Sequence, residues 1–154
     1  MTAPCPPPLR LVTDPDLSRR VIGCVFRVYG ELGPGFVESV YCRALAQEFE
    51  TAGIKADSEV SIEVFYRDGL VGSFRPDFIV EDQLLLEIKA TGSLVDAHEA
   101  QVLNYLSASS LELALLINFG AKRPQIRRFA MSNSGKRRTR RRPAGGGGEA
   151  GSEN

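Results

Sequence analysis

Tryptophan is absent from this chain of 154 residues, and histidine occurs once, as His98. A zinc site built on two or more histidines is therefore excluded. The stretch "HEAQV" begins like the metalloprotease HExxH, but Val102 stands where the second histidine belongs. A Ser–His hydrolase would have to use His98, and no GxSxG elbow accompanies it. His98 is expected exposed near a helix start. Cysteine is scarce as well: Cys5, Cys24 and Cys42 form no CxxC pair. That odd, unpaired set predicts free thiols in a reducing, cytoplasmic setting. No apolar run approaches the roughly 18 to 20 residues needed to cross a bilayer. The opening "MTAPCPPPLR" has no apolar h-region, so neither a membrane span nor a secretory signal is expected. "GELGPG" lacks the lysine and spacing of a P-loop.

Charge is balanced only in total, with 19 Lys/Arg against 19 Asp/Glu. Residues 1–121 hold 9 basic and 17 acidic side chains, a balance of −8. Residues 122–142 hold 10 basic side chains and no acid, a balance of +10. The last twelve residues add Glu149 and Glu153, a balance of −2. The basic run "KRRTRRR" suits phosphate backbones without sequence preference; a solvated tail is the equally weighted alternative.

Composition divides the chain into a proline-rich leader (1–12) expected to be disordered, one folded domain (13–131) and a tail (132–154). The tail is basic, then glycine-rich, and is expected to be disordered. Asp14-Pro15 makes a good helix start, and Leu17, Val21, Cys24, Val25, Val28 and Leu32 follow at helical spacing. This predicts a helix over about 15–31. "GELGPGF" breaks it. A second helix is predicted over about 36–52, with Glu38 in its first turn and Gly53 at its end. "SEVSIEVFYRDGLVGSFRPDFIV" then alternates and is rich in β-formers, which predicts two strands turning at Asp68-Gly69. "EDQ" turns the chain into a third strand, "LLLEIKA". Asp96 with Glu99 reads as a capping box for a third helix. "LELALLINFG" reads as a strand ended by Gly120, and "QIRRFAM" as a last strand at the sheet edge. The sum is an α/β domain, a mixed sheet covered on both faces.

The chemistry concentrates in "RPDFIVEDQLLLEIKA", an apolar stretch that carries Asp77, Glu87 and Lys89. If residues 81–83 form a three-residue turn, Val80 pairs with Leu84 and Asp77 stands opposite Glu87. Alternation puts Glu87 and Lys89 on one face, and Asp77 joins them as a cross-strand partner. Phe78, Val80, Leu86 and Ile88 take the other face. Two opposed carboxylates repel, so positive charge must lie between them. Lys89 supplies part, and a divalent cation would supply more; carboxylate oxygens suit Mg²⁺. A purely structural ion cluster satisfies the same pattern. Gln101 and Tyr105, four apart, share a face of the third helix.

The set Glu38, Asp77, Glu87-x-Lys89 and Gln101-x-x-x-Tyr105 resembles the PD-(D/E)XK nuclease superfamily. The Gln-x-x-x-Tyr element resembles its exonuclease-type and repair branch. "GFVESVY", "HEAQVLNYL" and "LLINFG" resemble the small bacterial GxxExxY proteins within it. The likeness covers about residues 18–130, and it includes the Pro-Asp of the name as Pro76-Asp77. It implies a restriction-endonuclease-like core and Mg²⁺-dependent phosphodiester hydrolysis, with Mn²⁺ as an alternative. Glu38, Asp77 and Glu87 would hold the metal, with the Ile88 carbonyl as a further ligand. Lys89 would orient the attacking water or stabilise the pentavalent phosphate. Gln101 and Tyr105 would position the phosphate or hold Lys89. The implied partner is nucleic acid, DNA first, in repair or defence, with a homodimer or protein partner supplying selectivity. The competing expectations are a non-catalytic nucleic-acid- or protein-binding domain on the same fold and a structural α/β domain with an ion cluster.

Overall fold

A computed structural model describes residues 15–136. The expected Asp14 cap, the leader, Cys5 and the chain from 137 onward lie outside the described residues. Helix α1 (Pro15–Leu32) buries Leu17, Val21, Cys24, Val25 and Val28 along one stripe, as the 3.6-residue period requires. Helix α2 (Glu38–Thr51) buries Tyr41, Leu45 and Phe49. It begins two residues later than the spacing predicts. The Phe36 N–H is given to the Tyr41 hydroxyl at 3.3 Å, and Val37 is the extended N-cap residue. Glu38 is thus the first helical residue.

The strand region differs from the expected three strands. It contains five: β1 (Ala56–Ser58), β2 (Ile62–Tyr66), β3 (Gly69–Phe74), β4 (Phe78–Val80) and β5 (Leu84–Lys89). The expected second strand breaks at Arg75-Pro76 because proline has no N–H to give a ladder. The two halves then take different partners. Strands β2 and β3 form a separate two-stranded sheet, while β1 and β4 join the main one. The hairpin turn is also one residue earlier than expected. Arg67 and Asp68 carry the positive φ values, and Gly69 pairs with Tyr66 as the first residue of β3.

Past β5, helix α3 (Asp96–Ala108) crosses over to β6 (Leu113–Asn118), which runs parallel to β5; β7 (Gln125–Ala130) pairs antiparallel with β6. The five-stranded order is β1-β4-β5-β6-β7, so β7 lies at an edge as expected. The sheet is mixed and covered on both faces, a restriction-endonuclease-like α/β arrangement. One face packs Phe78, Val80, Leu84, Leu86, Ile88, Leu113, Leu115 and Ile117 under α1 and α2. The other packs Leu85, Ala114 and Leu116 against Val102 and Leu106 of α3, with Ile62 of the hairpin at its margin. Strand β6 is buried along its whole length, the pattern of a central strand in a sheet covered on both sides.

The expected Asp96–Glu99 capping box is replaced by another device. Asp96 is already helical, so the cap falls on Val95, whose N–H is accepted by His98 Nδ1 at 3.1 Å. His98 is accordingly half-buried rather than exposed. Glu99 pairs instead with Arg127 on β7. Beyond the expected domain edge at 131, a 3₁₀ turn (Asn133–Gly135) follows. There the Lys136 ammonium donates to the carbonyls of Ser109 and Leu111.

Candidate active site

The β4–β5 register is Phe78 with Leu86, Ile79 with Leu85 and Val80 with Leu84, as a three-residue turn at 81–83 requires. One step beyond the ladder, Asp77 meets Glu87 and Ile88 by exchange of side chain and backbone. The Asp77 N–H donates to Glu87 Oε1 at 3.2 Å. The Ile88 N–H donates to Asp77 Oδ2 at 2.7 Å. Pro76 is buried and restricts the backbone ahead of Asp77. Asp77 Oδ1 makes no hydrogen bond among the described residues.

Strand alternation sends Glu87 and Lys89 to one side, away from Leu86 and Ile88. Glu87 is 4 % exposed, and its Oε2 lies 3.7 Å from Lys89 Nζ. Burial, then the neighbouring Asp77 charge, pushes the Glu87 carboxyl up to about 7, against the lowering pull of Lys89. Burial is also the first cause of a raised Asp77 carboxyl, opposed by the Ile88 N–H and by Lys89.

Glu38 approaches from the other side of the sheet, on the first turn of α2. Its carboxyl is raised by burial first and by Asp77 second, and lowered by Lys89. Glu38 and Asp77 line one cleft of about 480 Å³ with Ser39, Cys42, Arg43 and Glu59. Asp77 is the meeting point of the two halves. Cys42, one turn beyond Glu38, is pushed to about 12 by burial and by the Asp77, Glu38 and Glu87 charges. That keeps it a thiol and not a nucleophile at neutral pH.

Helix α3 brings the third group of side chains. Gln101 Nε2 donates to the Tyr105 hydroxyl at 2.7 Å, the contact that an i, i+4 pair allows. The Tyr105 hydroxyl is raised by burial first, then by the charges of Glu87 and Asp77. Its ring stacks on Phe74 at 3.9 Å between centroids and 5° between planes. The Asp77 charge thus acts on Glu38, Glu87 and Tyr105, Lys89 pairs with Glu87, and Gln101 joins them through Tyr105.

The donor set is chemically suited to a hard divalent cation. Glu38 and Asp77 line the cleft and Glu87 lies beside Asp77, and at Glu38 and Glu87 the Asp77 charge raises the carboxyl further. Lys89 alone does not neutralise that charge, and carboxylate oxygens are the donors Mg²⁺ prefers. Among the described residues no three acidic, cysteine or histidine side chains already stand at ligation spacing. Glu38 is the exposed member, so it is the one free to rotate inward.

Two neighbours of this site carry no signal in the sequence reading, Cys42 and Phe74, while Tyr41 and Phe119 enter it only inside the segments "GFVESVY" and "LLINFG". Cys42 is recoverable from helical spacing, being four residues after Glu38. Phe74 and Phe119 act through contacts distant in sequence, which no local period encodes.

The mixed sheet, with Asp77 just ahead of β4 and Glu87-x-Lys89 at the end of β5, is a nuclease-type fold. The family model of the PD-(D/E)XK nuclease superfamily matches residues 15–129. The chain belongs to the PD-(D/E)XK nuclease superfamily. No curated protein and no solved structure matches it. Members of this superfamily generally hydrolyse phosphodiester bonds, which assigns the chain a nuclease-type function and a nucleic-acid substrate. Among the described residues no helix is long and apolar enough to cross a membrane.

Proposed function

We propose that this chain is a Mg²⁺-dependent nuclease, able to use Mn²⁺, that hydrolyses phosphodiester bonds in DNA during repair or defence. The observation that carries the reading is the meeting at Asp77 of Glu38 from one side of the sheet and Glu87 with Lys89 from the other. Glu38, Asp77 and Glu87 would hold the cation. When bound, the metal neutralises charge on the phosphate and acidifies a water. The Ile88 N–H holds the Asp77 carboxylate in one orientation. The Lys89 ammonium, tethered by Glu87, orients the attacking water and stabilises the charge that grows on the phosphoryl oxygens. Water oxygen bonds to phosphorus, one ester P–O bond breaks, and the departing oxygen takes a proton. Gln101 fixes the Tyr105 hydroxyl, which positions the phosphate. Gly35, Glu38 and Tyr41 support placement in the GxxExxY branch.

The test is cleavage of labelled single- and double-stranded DNA, and of RNA, in Mg²⁺, Mn²⁺ or EDTA. Lys89→Ala runs alongside. Cleavage of DNA that needs the cation and falls at least about 100-fold in Lys89→Ala is the expected result. Cation-independent cleavage, or equal rates in the variant, would reject the assignment. A folded protein that binds DNA, does not cut it and takes up neither cation by calorimetry is a binding module on this fold.

A further inference from the structure

Asn118 ends the apolar strand β6 and is wholly buried. A buried amide is costly unless its donors and acceptor are all used. Here they are. Its Oδ1 accepts the Thr91 N–H at 2.9 Å and the Gly120 N–H at 3.0 Å. Its Nδ2 donates to the Thr91 carbonyl and to Gln125 Oε1, each at 2.9 Å. Both backbone groups of Thr91 are therefore held by one side chain, two residues beyond Lys89. The next residue adds to this, since the Phe119 N–H donates to the Lys89 carbonyl at 2.8 Å. Gly120 completes it: a Cβ there would lie 2.2 Å from the Thr91 carbonyl oxygen, so only glycine lets the two backbones touch.

The same segment reaches the other half of the site. The Phe119 ring stacks on Tyr41 with centroids 4.4 Å apart and planes 6° apart. Both rings are wholly buried. The Tyr41 hydroxyl donates to the Gly33 carbonyl at 2.5 Å and accepts the Phe36 N–H at 3.3 Å. It thereby closes the turn that holds Gly35 at φ +110° and delivers Glu38 to the first turn of α2. Asn118, Phe119 and Gly120 thus contact the strand exit behind Lys89 and, through Tyr41, the loop ahead of Glu38.

We infer that Asn118–Phe119–Gly120 is the positioning element of the site, the common reference that fixes Glu38 relative to Lys89. Its catalytic consequence rests on the nuclease reading. Glu38 and Lys89 come from different layers of the fold, and among the described residues neither is hydrogen-bonded to the other's element. Misplacement by about 1 Å can cost on the order of 100-fold in rate, so a shared clamp matters to chemistry more than to binding.

The test uses the full chain with Phe119→Leu, which removes the stack, and Asn118→Ala, which removes the clamp on Thr91. Amide hydrogen exchange is read beside cleavage kinetics. In Phe119→Leu the amides of Phe36 and Val40 should exchange at least tenfold faster, with Leu85 and Leu115 unchanged. In Asn118→Ala the amides of Thr91 and Gly120 should do so. If Asn118→Ala does not fold, Phe119→Leu decides alone. For both, kcat should fall about tenfold or more with KM within twofold. Unchanged exchange at Phe36 in Phe119→Leu overturns the inference, whatever the activity. Faster exchange with unchanged kcat overturns it too. If the wild type cleaves nothing while the exchange changes appear, the clamp stands and the nuclease assignment is what fails.

Discussion

Glu87 is the side chain on which the site's electrostatics turn. It is buried beside Asp77, and among the described residues Lys89 and the Asp77 N–H offset that charge only in part. Its carboxyl is raised from 4.5 to about 7, so the folded state holds this proton more tightly than the unfolded chain does. Below about pH 4.5 the group therefore costs nothing. Between there and pH 7 stability falls as pH rises, and above 7 the full cost is present. Glu87→Gln removes the charge and keeps an oxygen for the Asp77 N–H. In EDTA, the variant should match wild type near pH 4.5 and be more stable by roughly 3 kcal/mol at pH 8. Thermal melts across that range read the difference; a variant less stable at pH 8 would reverse the argument. Arg43 bears on the same site differently. Among the described residues it is the one cationic side chain lining the cleft that Glu38 and Asp77 share, and under the proposed nuclease reading it would take a phosphate beside the scissile one. Arg43→Ala should raise KM about tenfold at constant kcat and lower the salt slope of DNA binding by about one.

At the scale of elements, the β2–β3 hairpin is the least supported part of the fold. A two-stranded sheet is marginal alone, and this one is fixed through Ile62 on the α3 side and through Phe74 against Tyr105. Phe74→Ala should lower the opening free energy of the hairpin by about 1.4 kcal/mol or more. Val64 and Gly72 amides would then exchange about tenfold faster while β5 and β6 keep their protection, and exchange rising equally everywhere would instead mean global destabilisation. The hairpin also marks where the sequence was hardest to read. The β4–β5 register followed from the turn at 81–83 because period-two alternation leaves one solution with Phe78, Val80, Leu86 and Ile88 inside. The helices followed from long apolar stripes. Strand β1, three residues long, is too short to show a period, and Arg75-Pro76 hid a change of sheet inside one alternating run. At the site, Asp77, Glu87 and Lys89 could be joined by register alone. Glu38 could be joined to them only by resemblance, since the Tyr41–Phe119 stack that helps seat it links residues far apart in the chain.

Across the whole molecule, the basic run and the candidate site make separable predictions. Lys89 pairs with Asn118 at one end of the parallel β5–β6 ladder, and Leu84 pairs with Leu113 at the other. Lys136 bonds to the carbonyls of Ser109 and Leu111, just ahead of Leu113. The basic run Arg137–Arg142 follows Lys136 in the sequence and lies outside the described residues. Five arginines in 137–142 can each displace a counterion from a phosphate, and the acidic balance of residues 1–121 supplies no such attraction. Removing residues 137–154 should weaken duplex DNA binding most at low salt. The slope of log affinity against log salt should become shallower by up to about 4. The melting temperature and kcat should not change, because no described contact is lost. Filter binding or fluorescence anisotropy from about 50 to 200 mM salt measures the slope. A slope identical to that of the full chain would make the tail a solvated extension, and would place the attraction for the substrate on basic side chains of the described domain such as Arg43 and Lys89.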